Sequence, residues 1–386
     1  MKLLLMTGPL FPLPGNNANL IGKIIPHFLA AEHEVNLFSF AFDSEARELP
    51  NECFGVPVHW ATDQKRDWKR KLLYPAISKA VDPNGFSDAL QIQILMRELK
   101  SICRQYPFDA VVSTCEPYVM AGAASQLYGG KKVLYMMDPP ASVSNDAGTV
   151  YRSRTLPSVL KNQDALITTP FILEALKSHS LPLPKETAGV GFPMITPQTV
   201  RAGHAGSEKI KLLFCGWLYS GIRSPQYFLE IVSRLDERFE VTFIGRECET
   251  LCERFPIETN ASIITLPQQP YEAALQAMAD ADVLINIGNS VPVHMPSKTL
   301  EYINTGKPMV NIHKLPDCPT LYYTQRYPLA LNLFEGEADK AKATQAFIDF
   351  CLTQKGQTVD HAWIEREYAD CTPQYIAQKI LDFLEN

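Results

Sequence analysis

The chain has no long apolar run. Nothing in it approaches the roughly 18 consecutive apolar residues that a membrane-spanning helix needs, so no transmembrane helix is expected. The opening Met1-Lys2-Leu3-Leu4-Leu5-Met6 is cut short by Gly8, Pro9, Pro12 and Pro14, with no small-residue cleavage pattern behind it. It reads as a first strand rather than a signal peptide. There is no basic excess either: 36 Lys+Arg against 42 Asp+Glu leave a formal net charge of −6. That argues against nucleic-acid binding, which calls for a basic face, and any anionic ligand must then be held by a local site. The nine cysteines are odd in number and lack C-x-x-C pairs, so they do not read as a disulfide framework. Cys248 and Cys252 fall at helical i, i+4 spacing, but no matching His or Cys pair completes a zinc site. Reduced buried thiols and a cytoplasmic location are the expectation, and the sequon Asn260-Ala261-Ser262 then has no consequence. A G-x-G-x-x-G fingerprint is also missing.

What is present is an ordinary globular composition, 46% hydrophobic and 20% charged, over 386 residues. That length exceeds what one core usually fills, so two domains are expected. Strand-like and helix-like segments alternate in two series, the signature of doubly wound α/β architecture. The first series places strands at 3–7, 34–40, 56–60, 110–115, 133–137 and 165–169. The second places them at 210–215, 239–244, 263–266, 283–287 and 309–312. The polar, Gly-rich stretch 201–207 is the clearest linker between them. The expected organisation is a first Rossmann-like domain over 1–200, a second over 207–365, and a terminal segment, 366–386, whose helix crosses back to the first domain. Helical spacing of Ala343, Phe347 and Phe350, and of Ile376, Ile380 and Phe383, supports helices over 341–352 and 373–384.

The strongest functional signal lies between Ala281 and Ile312. Val283-Leu284-Ile285-Asn286-Ile287 and Met309-Val310-Asn311-Ile312 read as buried parallel strands. Between them Pro296 can open a helix that Gly306 ends. Such a helix start offers unpaired backbone N–H groups, the hydroxyls of Ser297 and Thr299, and the Lys298 cation, a combination suited to a phosphate. Glu301 follows one turn later, within reach of a ribose diol. An ordinary αβ crossover is the alternative.

Pro296-Ser297-Lys298, Glu301-Tyr302, Gly306-Lys307-Pro308 and Val310 resemble the donor-binding segment of GT-B glycosyltransferases of the retaining family 4 type, which reads P-S-K-x-x-E-Y-x-x-x-G-K-P-x-V. The resemblance implies two Rossmann-like doubly wound domains facing a cleft, and a donor that is a nucleotide diphosphate sugar. Many members carry a Glu eight positions before the one matching Glu301; this chain has Val293 there, with His294 beside it. The family's strand-Gly-Arg pattern, with a Lys about six positions on, holds a diphosphate between cations. Here Gly216 is kept, Trp217 replaces the Arg, and Arg223 falls near the Lys position, which makes Arg223 and Lys298 the implied pair of cations.

In the first domain, the loop Gly8 to Asn17 follows the first strand at the carboxyl end of the sheet, where ligands bind. The family carries a glycine-containing loop there, so Gly15 and Asn16 are candidates for donor contacts; a Pro-rich turn with an Asn cap is the alternative. Some lipid-glycosylating members read H-E-P where this chain reads Cys115-Glu116-Pro117. Glu116 and Asp138, each ending a strand, are candidates to hydrogen-bond an acceptor hydroxyl, with loop capping as the equal alternative. The stretch 64–80 sets Lys65, Arg66, Lys69, Arg70 and Lys71 beside Trp68, Leu72 and Tyr74, as a peripheral contact with an anionic membrane or as a solvated basic helix. Asp280-Ala281-Asp282 is formally a D-x-D, but it precedes a strand, so no metal is indicated.

The resulting expectation is a retaining, hexosyl-type glycosyltransferase acting on a saccharide or lipid-linked acceptor in envelope or extracellular polysaccharide synthesis. It would need no cofactor beyond the donor substrate. A nucleotide-sugar epimerase on the same fold and a catalytically silent nucleotide-sugar binder remain open beside it.

Overall fold

The computed structural model describes residues 1–10, 15–39, 49–61, 86–115, 118–127, 129–138, 156–197, 208–218 and 221–385. The basic stretch 64–80, Glu116 and the linker 201–207 lie outside them. Among the described residues no helix is long and apolar enough to cross a membrane. The chain divides into two compact units, Met1–Pro193 with Asp370–Asn386, and Met194–Ala369.

The strands of the first unit are β1 (Lys2–Met6), β2 (Glu34–Ser39), β3 (Glu52–Cys53), β4 (Val56–Trp60), β5 (Ala110–Thr114), β6 (Lys131–Met136), β7 (Ala165–Thr168) and β8 (Glu186–Gly189). They form one sheet in the order β3-β4-β2-β1-β5-β6-β7-β8, parallel except where β3 meets β4. Helices α1 (Asn16–Ala30), α2 (Phe86–Gln105), α3 (Tyr118–Ala124), α4 (Leu156–Lys161) and α5 (Pro170–Ser178) connect them. Leu4, Met6, Val111, Met120 and Leu95 share a core on one face.

The second unit has β9 (Ile210–Cys215), α6 (Gln226–Val232), β10 (Phe239–Ile244), α7 (Leu251–Arg254), β11 (Ser262–Leu266), α8 (Tyr271–Asp280) and β12 (Val283–Ile287). It continues with α9 (Lys298–Asn304), β13 (Met309–His313), α10 (Pro319–Thr324), β14 (Ala330–Phe334), α11 (Lys340–Gln354) and α12 (His361–Glu367). Its sheet runs β11-β10-β9-β12-β13-β14 and every pair is parallel. Strand order therefore reverses between β9 and β12, and the crevice beyond the carboxyl ends of two such strands is where open α/β sheets bind ligands. β12 and β13 are buried at every position, as strands covered on both faces must be. Phe228 contacts Phe243 and Phe347 at ring-centroid distances of 5.7 and 6.0 Å, filling the space beneath the sheet.

The last helix, α13 (Pro373–Glu385), belongs to the first unit, where it packs against α1 and buries Ile376, Ile380, Leu381 and Leu384. Three short strands that the sequence pattern does not announce, β3, β8 and β14, all lie at or next to a sheet edge.

Candidate functional site

Gly216, Arg223, Ser297, Lys298 and Glu301, the second-unit candidates named from the sequence, gather at the carboxyl ends of β9 and β12. Pairing between these two strands stops at Leu284↔Leu213, although β9 stays paired with β10 as far as Cys215 and β12 with β13 as far as Ile287. Cys215 thus loses its β12-side ladder partner, and its backbone turns to a side chain. The Tyr302 hydroxyl accepts from the Cys215 N–H at 2.8 Å and donates to the Cys215 carbonyl at 3.1 Å. Tyr302 is fully buried, so this one hydroxyl fastens α9 to the end of β9. Tyr302→Phe would leave a buried donor and a buried acceptor unpaired, and is expected to lower stability by about 2–4 kcal/mol. Denaturant unfolding checks this, and a loss below about 0.5 kcal/mol, within the range of ordinary surface substitutions, would contradict it.

One residue on, Gly216 sits so close to Gly245 that a Cβ at Gly245, whose φ is +139°, would lie 1.7 Å from the Gly216 carbonyl oxygen. The turn after β9 then leads to Arg223, only 7% exposed. Its Nε and Nη2 donate to Asn289 Oδ1 at 3.1 and 2.9 Å, and its Nη1 donates to the Trp217 carbonyl at 3.2 Å. A Cβ on Gly216 would lie 3.6 Å from Arg223 Nη1, which places the guanidinium beside the glycine. Trp217, standing where a cation was expected, hooks its ring N–H onto Glu247 and stacks under Arg246, whose guanidinium carbon is 4.9 Å from the ring centroid.

On α9, Lys298 Nζ and Glu301 Oε2 form an ion pair at 2.5 Å, with side-chain exposures of 26% and 7%. Burial works against the Lys298 charge. The Glu301 carboxylate, through its charge and its hydrogen bond, together with Cys215 and Tyr271, outweighs it, and the ammonium pKa lies above the usual lysine value. Glu301 Oε1 is buried with no hydrogen-bond partner. An ionised carboxylate oxygen in that state is an acceptor waiting for a donor. Ser297 caps the helix without a side-chain hydrogen bond. Thr299 is fully buried, and its hydroxyl points to Asn286 Oδ1 at 3.4 Å. Asn286 continues into a buried amide ladder across β12, β13 and β14, with Asn286 donating to Asn311 at 2.7 Å and Asn311 donating to Asn332 at 2.8 Å.

Two members of the site carry no sequence signature. Asn289 ties Arg223 in place. Lys314, just past β13 and paired with Glu335 at 3.7 Å, has its pKa lowered by burial in the first place, with Arg223 pushing the same way while Glu335 opposes; it adds a further cation near Arg223. Burial pushes the Cys215 pKa up and that of Cys248 up to about 12, so neither of these two thiols is poised as a nucleophile. Val293 adopts φ +59°, the left-handed region that a β-branched residue enters only under strain. Val293→Asn, a residue tolerant of that region, is expected to stabilise the protein by about 1 kcal/mol, seen as a raised melting temperature; a lowered one would contradict the strain.

In the first unit, Gly15 precedes α1 with its N–H donating to the Pro9 carbonyl at 2.8 Å, and a Cβ there would make only ordinary contacts. Asn16 is exposed at the helix start. Asp138 is half-buried after β6 and acts electrostatically on the Tyr135 phenol, whose pKa is raised by burial first and then by Cys371 and Asp138. The Asp280 and Asp282 carboxylates serve the backbone and a neighbouring side chain: Asp282 Oδ2 accepts from the Lys211 N–H at 2.8 Å and Asp280 from Gln276.

No family model and no curated protein matches this sequence. Solved structures do match in fold. A sucrose-phosphate synthase from Thermosynechococcus elongatus superposes with a TM-score of 0.67 at 12% identity, covering 100% of this chain and 98% of that one. HepE of Anabaena, solved in complex with UDP and glucose, gives 0.62 at 13% identity with 100% of both chains covered. The lipopolysaccharide outer core galactosyltransferase WaaB gives 0.61 at 11% identity, covering 100% and 99%. The chain therefore has the GT-B glycosyltransferase fold, an α/β structure with two parallel-sheet domains.

Proposed function

We propose that the protein is a glycosyltransferase that moves a sugar from a nucleoside diphosphate sugar to a hydroxyl acceptor. The observation that carries this reading is the Lys298–Glu301 pair at the strand-order reversal, a cation beside a buried carboxylate whose second oxygen lacks a donor. A ribose hydroxyl would supply that donor, while Lys298 and Arg223 would face the diphosphate. The Anabaena HepE complexes with UDP and with UDP-glucose support a nucleotide sugar as the donor class.

In the transfer, the bond from the anomeric carbon to the diphosphate oxygen breaks as the bond to the acceptor oxygen forms, and the acceptor proton passes to the departing phosphate. Arg223 and Lys298 stabilise the charge that develops on the leaving group, and such stabilisation is commonly the largest catalytic contribution. Retention of configuration and a hexosyl donor follow the family 4 resemblance. A saccharide or lipid-linked acceptor in envelope assembly follows the same resemblance, with WaaB as a neighbour acting in lipopolysaccharide. Asp138 and Glu116 are the proposed contacts to the acceptor hydroxyl, with Gly15 and Asn16 on the donor.

Calorimetric titration with UDP, GDP, ADP and dTDP tests the donor site. Tight binding of one of them, weakened in Glu301→Ala, is expected; no binding of any would overturn the reading.

A further inference from the structure

The Arg223 guanidinium is held on two sides, by the Trp217 carbonyl on Nη1 and by one amide, Asn289, on Nε and Nη2. The Asn289 side chain is 1% exposed and uses all of its hydrogen-bonding capacity. Oδ1 takes two donors from Arg223, at 3.1 and 2.9 Å. Nδ2 gives one hydrogen to the His294 carbonyl at 2.9 Å and approaches His294 Nδ1 at 2.7 Å. A flipped amide would set its NH₂ against the guanidinium and its oxygen against a carbonyl, so only one orientation satisfies the group. The neighbouring Ser290 repeats the stitch, its N–H donating to the Ile222 carbonyl at 2.8 Å and its hydroxyl to the Gly221 carbonyl at 2.9 Å. The left-handed turn at Val293 immediately precedes His294, whose carbonyl and ring nitrogen both converge on the one NH₂. The loop after β12 is thus built to present an acceptor to a side chain on the loop after β9.

We propose that Asn289 is the positioning residue of the donor site, an inference that rests on the donor-site reading above. Through His294 it holds the Arg223 guanidinium in one geometry before the diphosphate arrives, so that binding need not immobilise a flexible arginine. Asn289 acts only through Arg223.

A two-by-two cycle of Arg223→Ala and Asn289→Ala tests it, with affinities for UDP, GDP, ADP and dTDP read by calorimetry and folding checked by melting temperature. Asn289→Ala is expected to weaken the preferred diphosphate at least tenfold when Arg223 is present and less than twofold when it is absent. A merely structural role would cost the same in both backgrounds, and that additive result would overturn the proposal, as would unchanged affinity in Asn289→Ala. Failure of the donor reading itself looks different: the wild-type protein would bind none of the four nucleotides, and the proposal would fall with it. If Asn289→Ala does not fold, Asn289→Ser enters the same cycle under the same criteria.

Discussion

Replacing Lys298 by alanine is expected to cost both stability and nucleotide binding, and a second substitution should separate the two losses. The Lys298 ammonium is the ion-pair partner of a carboxylate that is 7% exposed. Removing it strands a buried charge, at about 3 kcal/mol or more. The same change deletes one of the two cations proposed to face the diphosphate, and a charge-assisted contact of about 1.5–3 kcal/mol corresponds to roughly 10- to 150-fold in affinity. In Lys298→Ala combined with Glu301→Gln, no charge is stranded, so most of the stability should return while the affinity stays low. Recovery of both, or of neither, would contradict the assignment. The pair also sets a pH limit. The folded-state pKa of Lys298 is raised, so its contribution is complete below the ordinary lysine value of about 10.4. It fades only as pH climbs through the higher folded-state value. Denaturation midpoints measured from pH 7 to 11.5 should fall at the alkaline end in the wild type and less steeply in the double variant.

Arg223→Ala should be the most damaging change to diphosphate affinity. The side chain offers a planar fork that a diphosphate can meet with paired hydrogen bonds. Losing it is expected to cost about 2–4 kcal/mol, or roughly 30- to 1,000-fold. Nucleosides without phosphates should bind the variant and the wild type alike. Arg223→Lys restores the charge without the fork, and lysine cannot reproduce both hydrogen bonds to Asn289 Oδ1, so it should recover only about tenfold. Full recovery in Arg223→Lys would show that charge alone matters and that the buried geometry around Asn289 does not.

Much of this fold was legible because interior parallel strands are continuous apolar runs. β9, β10 and β12 fall at the bounds that their apolar runs mark. The three unannounced strands fail for a shared reason. Glu52–Cys53, Glu186–Gly189 and Ala330–Phe334 lie at or near sheet edges and are half exposed, so burial imposes no apolar run on them. In the site, Lys298 and Glu301 were readable because their i, i+3 spacing puts both on one face of a short helix. That the Thr299 hydroxyl turns inward to Asn286 is not legible from a sequence that sets a hydroxyl on either side of Lys298. Asn289 was invisible: an asparagine after Gly288 at the end of a strand looks like an ordinary turn residue. Only the meeting of two loops 66 residues apart in sequence gives it a partner.

Turnover tests the transferase activity most directly. Nucleotide sugars carrying the preferred nucleoside diphosphate are incubated with the wild-type protein, with and without a panel of saccharide and lipid-linked acceptors, and nucleoside diphosphate release is followed. Release by the wild type is expected, accelerated by a suitable acceptor and abolished in Arg223→Ala. A protein that binds the donor tightly, returns it intact and gives no product with any acceptor would be a nucleotide-sugar binder rather than a transferase, and the central claim would be wrong.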